Sequence, residues 1–236
     1  MNRDGRDEAG NELLRAKGLG KRFGGASDGF WIFRHLDMTL RPSEMVCLSG
    51  PSGCGKTTLL ALLSGLEKPT EGTVTLMGHS LETMSEARAA DVRRKAIGFV
   101  FQFFYLLPNL TVQENIALPL IAAGEGRTVL SRAAELASEL GLVDRLNRYP
   151  RQLSAGEQQR VALARAIISS PAIVMADEPT GNLDASSADV VLSILRRQTQ
   201  EGRAVLIASH NPKVVEVSDR VIDLSQVAVR AEDSRP

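Results

Sequence analysis

Short apolar runs, each closed by polar or glycine-rich punctuation, recur at residues 31–33, 45–48, 73–76, 97–100, 173–175, 204–207 and 221–224. Several are apolar at every position, which predicts strands covered on both faces. Between them the spacing turns helical, predicting helices over 57–64 and 85–92. From 103 to 170 no strand pattern occurs. That stretch reads as helices over 111–123, 131–140 and 156–169. The first opens on Thr111-Val112-Gln113-Glu114, a pattern in which hydroxyl and carboxylate satisfy each other's free backbone N–H groups, and the second is expected to be capped by Ser131. Alternating strands and helices predict an α/β core at 11–102 and 171–230, interrupted by a mainly helical insertion at 103–170. Residues 1–10 and 231–236 are polar and are expected to fray.

Composition narrows the class of partner. The 236 residues are 43% hydrophobic, enough for a substantial core. Lys plus Arg equals Asp plus Glu at 28 each, so no overall field draws the chain to nucleic acid, and no nucleic-acid partner is expected. The two cysteines, Cys47 in an expected strand and Cys54 in a loop, make no disulfide framework, and a reduced, cytoplasmic setting follows. The first residues carry no apolar signal-like segment, and the longest apolar stretch, 116–123, is far below a bilayer span. The chain is expected to be neither secreted nor membrane-spanning.

The chemistry begins at Gly50-Pro51-Ser52-Gly53-Cys54-Gly55-Lys56-Thr57, set between an expected strand and an expected helix. The spacing is that of a phosphate-binding loop. Glycines let backbone N–H groups approach an anion, and the following helix aims its free N–H groups and positive dipole end at the same point. Lys56 would reach the outer phosphates of a nucleoside triphosphate, and Thr57 would ligate a bridging Mg²⁺. Asp177 and Glu178 close the apolar run at 173–176, at a strand's carboxyl end where ligands collect in open α/β sheets. Their positions suit Mg²⁺ binding by Asp177 and polarisation of the attacking water by Glu178; the plainer alternative is an acidic helix start. Ser154 opens a helix and makes a second anion site or an ordinary cap. His210 follows the run at 204–207 and as a donor would stabilise charge on phosphoryl oxygens. Cys54 reads as a small filler, while His35 and His79 read as structural.

In chain order stand the phosphate loop, Gln102, Leu153-Ser154-Ala155-Gly156-Glu157, Asp177-Glu178, Gly181-Asn182-Leu183-Asp184 and His210. This set closely resembles the nucleotide-binding subunit of ATP-binding-cassette transporters, over residues 13–224. The resemblance implies a P-loop NTPase core with a helical signature subdomain and an N-terminal antiparallel β element. It implies ATP binding by Phe23, stacking on adenine, and by Gly50, Pro51, Ser52, Gly53, Cys54, Gly55, Lys56, Thr57 and Thr58. It further implies Mg²⁺ contacts from Thr57, Gln102 and Asp177, and catalysis by Glu178, His210 and Gln102. Ser154, Ala155, Gly156, Glu157 and Asp184 would face ATP held by a second copy of the chain. Ala155 and Glu157 depart from the family's usual glycine and glutamine.

Val100-Phe101-Gln102-Phe103-Phe104-Tyr105-Leu106-Leu107-Pro108 and Pro179-Thr180-Gly181-Asn182-Leu183-Asp184 resemble the subgroup of lipoprotein-releasing, macrolide-exporting and cell-division cassettes. An integral membrane permease would dock near residues 102–108, placing the chain on the inner face of the membrane. The aromatic rings there would line a groove for a permease helix or glue the helical insertion to the core. A soluble cassette acting on nucleic acid or ribosomes, or a mostly non-hydrolysing scaffold, is the other class, but such proteins usually carry two cassettes or a long inserted arm. This chain has one of each motif and no basic stripe.

Overall fold

The computed structural model describes residues 12–25 and 29–226; the expected tails lie outside them. Nine strands and seven α-helices are formed among these residues. Five strands make a parallel sheet: β3 (Met45–Ser49), β6 (Ile97–Val100), β7 (Ile173–Asp177), β8 (Ala204–Ala208) and β9 (Arg220–Asp223), in the order β6-β7-β8-β3-β9. Side chains alternate between its faces, as the two-residue period of a strand requires. Met45, Cys47, Val174, Ala176, Val205 and Ile207 meet the helices on one side. Val46, Leu48, Ile173, Met175, Ala204 and Leu206 belong to the core on the other. Both faces are therefore dry, and the runs are apolar throughout for that reason.

The second core layer is an antiparallel sheet ordered β2-β1-β4-β5: β1 (Leu14–Phe23), β2 (Phe30–Leu40), β4 (Glu71–Leu76) and β5 (His79–Ser80). β1 is absent from the apolar runs read in the sequence. Its alternation breaks at register shifts around Gly18 and Gly20, which hide the period. Helix α1 (Lys56–Leu63) lies between the two sheets, with Leu59, Leu60, Leu62 and Leu63 buried in the shared core. Helix α2 (Glu86–Ala96) extends beyond the expected 85–92 and buries only Ala89 and Ala96.

On the opposite face stand α3 (Val112–Ala122), α4 (Val129–Glu139), α5 (Ala155–Ile167) and α6 (Ala185–Gln200), with α7 (Pro212–Val217) beyond. The expected reciprocal cap forms at α3: the Glu114 N–H donates to Thr111 Oγ1 at 3.3 Å, and the Thr111 N–H donates to Glu114 Oε2 at 2.8 Å. Ser131, by contrast, does not cap α4. The helix starts earlier, and the Ser131 hydroxyl donates back to the Thr128 carbonyl at 2.8 Å from inside the first turn. Asn115 of α3 is wholly buried and satisfied. Its Oδ1 accepts from the Leu107 N–H, while its Nδ2 reaches the Leu107, Leu110 and Thr111 carbonyls, pinning the 107–111 loop onto the helix. Helix α6 was not anticipated, although Ala188, Val191, Leu192 and Leu195 are buried with helical spacing. No helix among the described residues is long and apolar enough to cross a membrane.

Candidate active site

Because the large sheet is parallel, the carboxyl ends of β3, β6, β7 and β8 all open on one edge. The phosphate loop follows β3, Gln102 follows β6, Asp177 and Glu178 end β7, and Ser209-His210 follows β8. A cleft of about 260 Å³ there is lined by Ser52, Gly53, Gly55, Lys56, Thr57, Thr58, Gln102, Asp177, Glu178, His210 and, from β2, Ile32. Residues separated by up to 178 positions, Ile32 to His210, thus face one space.

Gly55 caps α1 with φ 100°, and a Cβ there would lie 2.3 Å from Ile32 Cγ2. Only glycine meets both demands. Lys56 is buried, and its ammonium donates to the Gly50 carbonyl at 2.8 Å and the Pro51 carbonyl at 3.1 Å. Two of its three N–H groups hold the loop, leaving one for an anion. Cys54 is half-buried and packs against the second core cluster beneath Gly50, in keeping with its reading as a filler. Burial pushes the Cys47 thiol up to about 11, so it is an inert core side chain.

The Thr57 hydroxyl donates to Asp177 Oδ2 at 2.8 Å. Burial raises the Asp177 carboxyl above its ordinary value, opposed by that hydrogen bond and reinforced by the Glu178 charge. Glu178 adopts φ 43°, an uncommon conformation for a residue with a Cβ, and its N–H donates to the Ala208 carbonyl at 2.8 Å. This turn brings Glu178 to the cleft beside Asp177. Its Oε1 lies 2.6 Å from His210 Nδ1 and 4.0 Å from Lys56 Nζ, while Oε2 accepts from the Ser209 hydroxyl at 2.9 Å. Residues 178–184 form turns, and no helix starts until α6, so the carboxylates do not open one. His210 is 69% exposed, so its ring is held by its contact with Glu178 rather than by packing.

A second cluster lies outside this cleft. Ser154 caps α5, accepting from the Glu157 N–H at 3.2 Å, while its own N–H donates to Glu157 Oε2 at 2.8 Å. That backbone hydrogen bond, assisted by the Ser154 and Arg145 side chains, holds Glu157 below the usual carboxylate range. Asp184 caps α6 and accepts from the hydroxyls of Ser186 and Ser187 and the Ser187 N–H, which hold it well below that range. The two helix starts touch: a Cβ on Gly156 would lie 2.6 Å from Ser187 Oγ. Ser154, Ala155 and Asp184 are part-exposed or exposed, and none of them lines the chain's own cleft.

Residues 33–181 match the family described as ABC transporter. The chain belongs to that family. It is 43% identical over 220 residues to the lipoprotein-releasing system ATP-binding protein LolD 1 of Rhodospirillum rubrum, spanning 92% of this chain and 97% of LolD 1. It is 39% identical over 213 residues to the macrolide export ATP-binding/permease protein MacB of Shigella flexneri, spanning 90% of this chain and 33% of MacB. The dimeric ATP-binding cassette MJ0796, solved in a post-hydrolysis state with ADP and Pi, superposes with a TM-score of 0.82 at 33% identity, over 89% of this chain and 94% of that one. The chain is accordingly an ABC ATPase with a P-loop core.

Several ABC residues named from the sequence stand apart from the cleft. Phe23 is at the end of β1, its ring 6.4 Å from Phe30 and 5.1 Å from the Lys21 ammonium, and it does not line the cleft. Gly50, Pro51 and Cys54 support the loop from behind. Ser209, absent from the sequence reading, touches Glu178; its only signal was its place before His210. In the 101–105 segment Phe104 is half-buried, whereas Phe103 and Tyr105 are 61% and 63% exposed. Arg165 of α5 donates to both the Phe104 and Tyr105 carbonyls, so the segment is held to the helical layer.

Proposed function

We propose that two copies of this chain close around two ATP molecules and drive an integral membrane permease of the export, lipoprotein-release or mechanotransmission type. The observation that supports it best is the paired helix starts of α5 and α6, which carry Ser154, Gly156 and Asp184 together yet away from the chain's own cleft. Free N–H groups at a helix start suit a phosphate, and only a second copy can bring them to one. Residues 103–170 then act as the helical signature subdomain, and 11–102 with 171–230 as the ATP-binding core.

Within each cleft, Lys56 binds the outer phosphates with the backbone of residues 50–58. Thr57 and Asp177 converge as hard oxygen donors 2.8 Å apart, with Gln102 beside them, a set that suits Mg²⁺. When bound, Mg²⁺ neutralises charge on the phosphates. Glu178 accepts the proton of the attacking water. With Nδ1 donating to Glu178, His210 donates from Nε2 to a phosphoryl oxygen only as the imidazolium. Phe23 supplies an open ring for adenine after Lys21 moves aside.

In the Glu178→Gln background, ATP is expected to give a dimer by size-exclusion chromatography with light scattering. Adding Ser154→Arg should return it to monomer while a fluorescent ATP analogue binds as before. A persistent dimer would remove the second-copy assignment. The permease contact rests on exposed Phe103, Tyr105 and Leu107. Co-purification with an integral membrane protein from solubilised membranes is expected, and Phe103→Ser with Tyr105→Ser should abolish it; recovery of the chain solely from the soluble fraction would refute the permease role.

A further inference from the structure

We infer that Ser209 is a positioning residue that fixes the orientation of the Glu178 carboxylate, an inference that rests on Glu178 being the group that activates water. Ser209 is completely buried, and its N–H donates to the Leu48 carbonyl of β3 at 3.1 Å, so its backbone is locked to the central sheet. Its hydroxyl has two neighbours. The Asn211 N–H can only donate, and it does so to Ser209 Oγ at 3.2 Å. The single hydroxyl proton is thereby left for the other neighbour, Glu178 Oε2 at 2.9 Å.

This makes the two carboxylate oxygens unlike. Oε2 is held from the protein interior, while Oε1 faces His210 and Lys56 on the cleft side. His210 is exposed, so no packing around its ring fixes the contact with Oε1. Ser209 has no such freedom. It therefore holds the carboxylate's direction independently of His210, and a base that takes a proton from water acts only within a narrow range of geometry. The surrounding ties serve the same end: Glu178 N–H to the Ala208 carbonyl, and Asn211 Nδ2 to Thr180 Oγ1 at 3.4 Å, join the segments after β7 and β8. Residue 209 thus couples the fixed edge of the sheet to the reactive group.

Steady-state ATPase of the full chain is the test, with circular-dichroism melting to follow folding. Ser209→Ala should lower kcat about tenfold and change KM for ATP by less than about twofold, the signature of an interaction used in the reaction rather than in binding. Ser209→Thr, which keeps the hydroxyl, should recover much of the rate. Ser209→Cys keeps volume but replaces a strong donor by a weak one, so it should follow Ala and serves in its place should Ala fold poorly. In the Glu178→Gln background, Ser209→Ala should alter the residual rate by less than about twofold, because the amide that Ser209 still holds no longer takes a proton from water and its direction no longer sets the rate. A wild-type kcat in Ser209→Ala, or an equal fall in both backgrounds, overturns the inference while leaving Glu178 in place. Full activity of Glu178→Gln alone instead overturns the underlying reading.

Discussion

Replacing Glu178 by Gln is expected to slow ATP turnover by on the order of a hundredfold or more, to leave ATP binding intact and to accumulate an ATP-bound dimer. The amide has the carboxylate's shape but cannot take a proton from water. Folding should survive, because the Ser209 hydroxyl can donate to the amide oxygen as it does to Oε2, and the φ of 43° concerns the backbone alone. Removing one half-buried negative charge beside Asp177 also relieves repulsion in the cleft, since Glu178 is one of the influences that raise Asp177. Binding of a polyanion should therefore be preserved or improved. Phosphate release measured at saturating ATP, with light scattering for the dimer, checks both halves of the expectation. An unchanged kcat would remove Glu178 from the chemistry.

Lys56→Ala should fail at an earlier step. Its ammonium is the buried cation of the cleft and sits 4.0 Å from Glu178, so its loss leaves two carboxylates facing an incoming triphosphate without compensation. The Gly50 and Pro51 carbonyls lose their donor as well, and the loop loses the contacts that hold its curl. Charge-assisted hydrogen bonds of this kind are worth about 1.5–3 kcal/mol, so affinity for ATP should fall roughly ten- to a hundredfold. Titration with a fluorescent ATP analogue reads this directly, without turnover. An equal Kd in the variant would mean that the ammonium serves the loop rather than the ligand. The two substitutions together separate binding from chemistry: one should empty the cleft, the other should keep it filled.

Much of this was legible in the chain because the demands are local. A phosphate loop needs its glycines, lysine and threonine at fixed spacing, and the mutual cap of Thr111 and Glu114 lies within one helical turn. Ser131 misled because a serine near a helix start can equally bond back to a carbonyl inside the first turn. Helix α6 escapes because its opening, Asp184-Ala185-Ser186-Ser187, belongs to a stretch read for interface chemistry, whereas the structure shows Asp184 capping the helix. β1 escaped because glycines and register shifts interrupt its alternation.

The sequence by itself determined the family, the α/β class, the phosphate loop and the place of Asp177, Glu178 and His210 at or just after the ends of apolar strands, since each is carried by residue type at short spacing. Tertiary structure alone decided which atoms meet. The strand order β6-β7-β8-β3-β9 places four distant carboxyl ends on one edge, and it is this that sets Ser209 against Glu178 and Thr57 against Asp177. It also decided that Gly156 lies against Ser187, two residues with nothing in their local patterns to pair them. Hydrophobic period reports which face of an element is dry, whereas strand order arises from the packing of all the elements at once, and no short stretch of residues encodes it.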